Sequence, residues 1–460
     1  MIMKRLWLVA GIIFCCVSPG YPQTRTLSDS VAAGTVNATP LSLGLKDAVD
    51  RAIKNNLASL LGTEAERVAA AERLADLAEL LPKLQARLSS EQHQINLAAF
   101  GFDGFPGVRQ VIGPFALVDA RASFFSPLVD LERRHNLRES SDNQRAAALT
   151  NLNTRELVAL AAVDMYFQVV SSESRVVAVD AQLIRAKALF GRATDLKNAG
   201  FAPGIDVLRA EVEQRSTEQR LIQAKNTVQK QKLELARVIG LPLGQEFNLT
   251  DRLPEESPMD LPVGQLLDRA YANRSDAKAL DVQVHAAEEA VKAVRSRRLP
   301  TLNALGDYGA IGRAPGNSHG TYSLTLELRV PIFDRSIDSD AQEKEANLRQ
   351  KQAERDSLRG RIEYDVRASA LDLQSAAEQL RVARQSLSLA QQQLDQAQDR
   401  FSAGVVDNLE VVQAQETVAL AQEVVIQSLY SFNISRALLA RATGAVERSI
   451  QEVFAGSSSK

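Results

Sequence analysis

Four histidines, His93, His135, His285 and His319, and two cysteines, Cys15 and Cys16, are the side chains in this chain best suited to metal binding or nucleophilic chemistry. No histidine stands at metal-ligand spacing from another histidine or a cysteine. No G-x-S-x-G, H-E-x-x-H or phosphate-loop pattern occurs. The sequence therefore predicts no enzyme, no cofactor and no metal site. Its most distinctly placed charged groups are carboxylates beside two glycine turns: Asp206 after Gly200, and Asp407 and Glu410 after Gly404. Read alone, Asp407 fits a helix N-cap, and Asp206 and Glu410 fit first-turn charges favoured by the helix dipole.

The two turns belong to a larger repetition. Gly200 and Gly404 are 204 residues apart, as are Gly240 and Gly444, and Pro127 and Pro331. Upstream the offset becomes 218, relating Asn55 to Asn273 and Pro82 to Pro300. The first copy is thus longer between Pro82 and Pro127. Internal repetition on this scale means two copies of one structural unit.

Residues 1–23 read as an export signal, with Lys4 and Arg5 before an apolar stretch at 6–17 that is too short to span a bilayer. Both cysteines lie in it, and Phe14 before Cys15 is a poor context for lipidation. Residues 24–40 read as a flexible lead. Composition is nearly neutral (net charge −2) and poor in aromatics (5%), which favours long helices and offers no basic surface for nucleic acid. After the signal no apolar run is long enough for a transmembrane helix.

The first repeat is expected over 41–240 and the second over 263–446, with a proline-rich linker at 241–262 and a loose tail at 447–460. A helix over about 42–80, with Ala48, Ala52, Leu57, Leu60 and Leu61 as its stripe, ends at Pro82. The apolar period then changes from 3.6 to 2. Leu324, Leu326, Leu328 and Val330 alternate with Thr325, Glu327 and Arg329; Leu84, Ala86 and Leu88 alternate with Gln85, Arg87 and Ser89. Strand pairs are expected at 83–126 and 301–331, joined by Gly-rich loops at 101–113 and 309–320. This pattern fits a sheet on a soluble core, or a membrane β-barrel with apolar residues facing lipid. Four strands cannot close a barrel, so several chains would have to contribute.

Long helices follow, at 131–197 and 336–403. The inward face of the first is read as Ala146, Ala147, Ala148, Leu152, Leu157, Leu160 and Ala161. That of the second is read as Leu371 with a heptad series Leu380, Leu387, Leu394 and Phe401. Each should pair along its length with the helix after its turn, 205–238 or 409–442, with tips at 198–206 and 402–410.

The order helix, strand pair, long helix, glycine turn, helix, duplicated behind a signal, resembles the TolC-like outer-membrane factors. The stretch FSAGVVDNLEVVQAQETVALAQ followed by YSFNISRALLARATG is similar to the most recognisable segment of that family. The resemblance implies a mainly α chain with a membrane β-barrel: a homotrimer whose twelve-stranded barrel, embedded in outer-membrane lipid, continues as a periplasmic α-helical barrel. It implies an exit duct of a tripartite efflux or type I secretion system, with a periplasmic adaptor protein and an inner-membrane pump as partners. Gly200, Asp206, Gly404 and Val405 would be adaptor-contacting tips. Glu410, Gln413 and Asp407 would line the periplasmic entrance; Gln413 stands where the family has a second acidic residue, which weakens a cation-binding ring. The rival readings are a periplasmic adaptor, which usually carries one hairpin, and a soluble coiled-coil scaffold, which would not need alternating strands.

Overall fold

The computed structural model describes residues 29–101, 107, 109–251, 253, 262–403, 405, 406 and 408–445. The segments read as an export signal and as a loose tail lie outside the described residues, as do Cys15, Cys16, Gly404, Asp407 and residues 252 and 254–261 of the proline-rich linker. One unit occurs twice. The first copy is β1 (Leu41–Leu43), α1 (Leu45–Asn55), α2 (Leu57–Ala78), β2 (Lys83–Asn96), β3 (Val111–Val129), α3 (Leu131–Asn198) and α4 (Gly204–Ile239). The second is β4 (Phe247–Leu249), α5 (Val263–Asn273), α6 (Ser275–Ser296), β5 (Thr301–Gly312), β6 (Ser318–Arg329), α7 (Ser336–Ser402) and α8 (Asn408–Ala442).

The single helix expected over 42–80 is two. Asn56 is extended (ψ 136°) and its side chain accepts the Ala58 N–H, capping α2. One side chain that satisfies a helix-end donor is enough to break a continuous apolar pattern. The second copy breaks at the equivalent residue, Arg274 (ψ 124°). Arg274 is buried and bonded to Asp276 at 2.7 Å and Asp365 at 3.1 Å. Burial alone would raise the Asp276 pKa; the Arg274 guanidinium outweighs it and holds the carboxyl below the usual range.

The expected flexible lead is tied down from Asp29 onward. Val31 N–H donates to Asn55 O, Ala33 N–H to Gly240 O and Leu57 N–H to Asp29 O, each at 2.9 Å. Further on, β1 pairs in parallel with β4. Polar composition suggested looseness, but backbone groups that find partners order a chain whatever its side chains. This strap closes the main core, built from Leu43, Leu45, Val163, Tyr166, Phe167 and Ile239 among others. Burial pushes the Tyr166 hydroxyl well above the usual tyrosine range, and it donates to Leu43 O at 3.2 Å.

Helix α3 has 68 residues, roughly 100 Å at the helical rise. It cannot fold on itself, so other helices cover it in sections. Near the sheet it meets α2 and α6, through Asn151 to Glu66 and His135 to Glu289. Toward the turn it meets α4 and α8, through Ser172 to Gln231 and Arg175 to Glu423. The face read from the sequence is displaced. Ala146 is buried as read, but Leu152 is 43% and Leu371 67% exposed, and in mid-helix Val158, Ala159, Ala162, Val163, Tyr166 and Phe167 are buried in place of Leu157, Leu160 and Ala161. Around Tyr166 several elements surround α3 at once, so no single stripe marks its core. Leu152 and Leu371 point where, among the described residues, no helix packs over them. Leu380, Leu394 and Phe401 are buried on the heptad face of α7.

Strands β2, β3, β5 and β6 form one antiparallel sheet in that order. Its register aligns Leu84, Phe124, Gly306 and Leu324, and next to them Ala86, Ala122, Tyr308 and Tyr322. The other face aligns Gln85, Ser123, Asp307 and Ser323, then Arg87, Arg121, Gly309 and Thr321. Both expected loops are shorter than read: β3 begins at Val111, and β5 and β6 stay paired through Gly309 and Gly320. Gly309 is strand because the backbones approach closely there; a Cβ would stand 2.4 Å from Ala120 O.

Candidate functional site

At the end of the molecule far from the sheet, both hairpins turn. Helix α3 closes with Gly200 at φ 82°. Phe201 N–H donates to Leu196 O (2.8 Å) and Gly200 N–H to Lys197 O (3.0 Å). This is the Schellman closure, in which a left-handed residue lets the last carbonyls find donors. Helix α7 closes alike, Val405 N–H reaching Arg400 O at 3.0 Å. Phe201 (83%) and Val405 (69%) are left exposed at the two tips.

Behind the turns the hairpins share one apolar cluster: Leu189 and Ala193 from α3, Ala210 from α4, Leu394 and Phe401 from α7, Val411 from α8. Asn408 is completely buried, and its Nδ2 donates to Asp206 O at 2.7 Å, joining the start of α8 to the start of α4. The Asp206 carboxylate is buried, with Arg209 at 3.4 Å. Glu410 accepts from Arg400 Nη1 at 2.7 Å across the second turn, both side chains partly exposed. Gln413 is exposed, and its backbone carbonyl accepts the Thr417 hydroxyl at 2.9 Å.

Gly200, Asp206, Val405, Glu410 and Gln413 therefore sit at one end of the molecule, and Asn408 contacts Asp206 directly. Gly404 and Asp407 lie outside the described residues. Sequence reasoning missed Asn408 and Arg400. Arg400 was within reach, because residues at similar distances from a tight turn face each other on antiparallel helices. A buried asparagine in a first turn leaves no periodic signal. Asn408→Ala would remove the side-chain bond that joins the starts of α4 and α8, at about 0.5–1.5 kcal/mol. The expected result is tryptic cleavage after Lys197 or Arg400 accelerated roughly tenfold with an unchanged overall melting temperature; unaltered cleavage would mean the bond does not hold the tips.

The arrangement offers a charged, bonded rim rather than reactive groups. Glu410 is engaged by a guanidinium of its own hairpin, so repeated copies would present carboxylate–guanidinium pairs, not bare carboxylates. Such half-exposed pairs are worth about 0–1 kcal/mol each and open readily. The histidines are elsewhere: His135 meets Glu289 (2.7 Å), His285 meets Asp142 (2.6 Å) and His93 meets Glu91 (3.0 Å). Among the described residues no three metal-ligating side chains converge. Nor is any helix of the described residues long and apolar enough to cross a membrane.

With this geometry established, the comparisons are informative. The sequence model of the outer membrane efflux protein family matches residues 266–445. No curated protein matches the chain in sequence. Among solved structures, the outer membrane protein VceC from Vibrio cholerae is similar with TM-score 0.72 and 17% identity, over 87% of this chain and 96% of that one. The CmeC outer membrane channel of Campylobacter jejuni gives 0.74 and 16%, over 98% and 97%. The open state of the Neisseria gonorrhoeae MtrE outer membrane channel gives 0.72 and 15%, over 93% and 98%. At these identities the likeness is one of fold, and it runs along nearly the whole of each chain.

Proposed function

We propose that the chain is a TolC-like outer-membrane efflux protein with a periplasmic helical portion, three copies of which form the exit duct of a tripartite efflux or type I secretion system; the family match over residues 266–445 and the likeness of fold support this reading. One observation carries this reading: among the described residues, the four-stranded sheet has two edges, β2 and β6, without partners, and an uncovered apolar face. On that face Leu84 is 78% and Leu324 73% exposed. A long free edge beside bare leucines is an aggregation hazard in water. Three such sheets joined edge to edge make a closed twelve-stranded barrel, with the leucine face toward lipid and the Arg121–Asp307 face toward a wet lumen.

Beneath the barrel, α3, α4, α7 and α8 of three chains would form a helical tunnel across the periplasm. Its tips would meet an adaptor protein attached to an inner-membrane pump. Gly200 and Val405 supply the exposed contact, with Gly404 of the second turn assigned to it from the sequence, while Asp206 holds the tip from inside through Asn408 and Arg209. Glu410, Gln413 and Asp407 would line the entrance. Transport follows from shape and field alone, with no reaction at the protein.

Single-channel recording of the detergent-purified protein tests this. Discrete conductance steps are expected, and Glu410→Ala should change their size by about twofold, because charge at a constriction controls local ion concentration. Steps indifferent to the substitution would remove Glu410 from the entrance. A folded sample that stays in the aqueous fraction and never conducts would overturn the duct.

A further inference from the structure

We propose that the lumenal face of the barrel carries a charge-balanced belt around Arg121, and that Arg87 sets the ion preference of the duct at that level. The inference rests on the duct reading above. Arg121 lies between two carboxylates. Its Nε is 3.3 Å from Asp119 on the same strand, and its Nη1 pairs with Asp307 on β5. Asp307 also accepts the Ser323 hydroxyl from β6. Three strands are thus tied at one height by a cluster of two carboxylates and one guanidinium, which leaves one negative charge over.

Arg87 is placed to cancel it. The register sets Arg87 on β2 directly opposite Arg121. Its side chain is exposed and makes no ion pair among the described residues. A like charge directly opposite is unfavourable, so the Arg87 guanidinium is held away from Arg121 and toward the lumen. On the same face of this chain's sheet, the rows on either side of Arg121 add, among the described residues, only His319 to the titratable groups already named. The belt therefore sums to zero per chain only while Arg87 is present.

Geometry makes that sum matter. Twelve strands spaced about 4.8 Å apart and tilted roughly 40° enclose a barrel about 24 Å across, backbone to backbone. The axis is then about 12 Å from the wall, and an extended arginine covers much of that distance. The Debye length is about 8 Å at physiological salt and about 30 Å at 0.01 M, so at low ionic strength three unbalanced belts would bias the whole cross-section. The carboxylates are half-shielded by Arg121, whereas Arg87 is bare. Arg87 is thus the group that a departing solute's carboxylate or phosphate would meet, with two parallel donors to offer it.

The potassium-to-chloride permeability ratio, read from reversal potentials in a KCl gradient at low ionic strength, tests this. In Arg87→Gln the ratio is expected to rise about threefold or more over wild type, to return in Arg87→Lys, and to fall by a similar factor in Asp307→Asn. The same shifts should appear in a Glu410→Ala background, since belt and tips lie at opposite ends of the molecule. Arg87 makes no ion pair or side-chain hydrogen bond within its own chain among the described residues, so its variants leave the subunit's fold in place and remain readable even if Asp307→Asn fails to insert. Conducting Arg87→Gln channels with the wild-type ratio would overturn the belt and leave the duct standing. A wild-type protein that never conducts would overturn both.

Discussion

Gly240→Val and Gly444→Val are each expected to destabilise the protein by about 3–5 kcal/mol, combining backbone strain with overpacking. Both glycines hold positive φ, 69° and 70°. Both end a helix by the same closure, Leu241 N–H to Ala236 O and Ala445 N–H to Ala440 O, each at 2.8 Å. A Cβ at Gly240 would stand 2.6 Å from Asn55 Cβ and 2.9 Å from Val31 O; at Gly444 it would stand 2.8 Å from Arg274 N. Each glycine thus abuts the break between the two short helices of its own repeat. A β-branched residue cannot relieve the contact by changing rotamer. Gly191, inside α3 with open space where a Cβ would lie, is the control: Gly191→Ala should stabilise by about 0.5–1 kcal/mol. Thermal melts of the purified protein compare the three. Equal melting temperatures for Gly240→Val and wild type would mean that the strap and helix end are not packed as described.

The second large effect concerns the two faces of one strand. Leu324 and Thr325 are neighbours on β6, but Leu324 aligns with Gly306 on the apolar face and Thr325 with Leu305 on the other. Arginine facing lipid near the bilayer midplane costs about 2–4 kcal/mol, and a trimer bears that cost three times. Leu324→Arg should therefore abolish the heat-modifiable trimer band in outer-membrane fractions. Thr325→Arg, facing the wet lumen beside Glu327, should retain it. The reverse result would mean that the sheet is inside out relative to the membrane.

The fold was legible where one residue type forces one geometry. Glycines at equal offsets exposed the duplication, because helix ends need left-handed residues and a repeated unit repeats them. The alternation at Leu324, Leu326 and Leu328 marked a two-faced strand, because the strand period admits no other disposition. What remained hidden depends on partners. The break at Asn56 needs only one capping side chain in an otherwise helical pattern. The strap from Asp29 is held by backbone bonds and so has no side-chain signature. Leu152 and Leu371 look like core from their spacing, yet among the described residues both stay exposed. At the tips, Glu410 was readable as a first-turn carboxylate, but its pairing with Arg400 and the buried Asn408 required the two hairpins to be in place.

The central claim is that three chains close one barrel by joining β6 of each to β2 of the next. Inter-chain cross-linking measures this most directly. The barrel face that carries Gln85 is set as Gln85→Cys, and combined in turn with Thr321→Cys, Ser323→Cys and Thr325→Cys on β6 to scan the register. Under oxidation in native membranes, at least one pair should give a denaturing-gel ladder of one, two and three linked chains that stops at three. A ladder that stops at two, one that continues past three, or no linkage at any register would contradict the closed trimeric barrel.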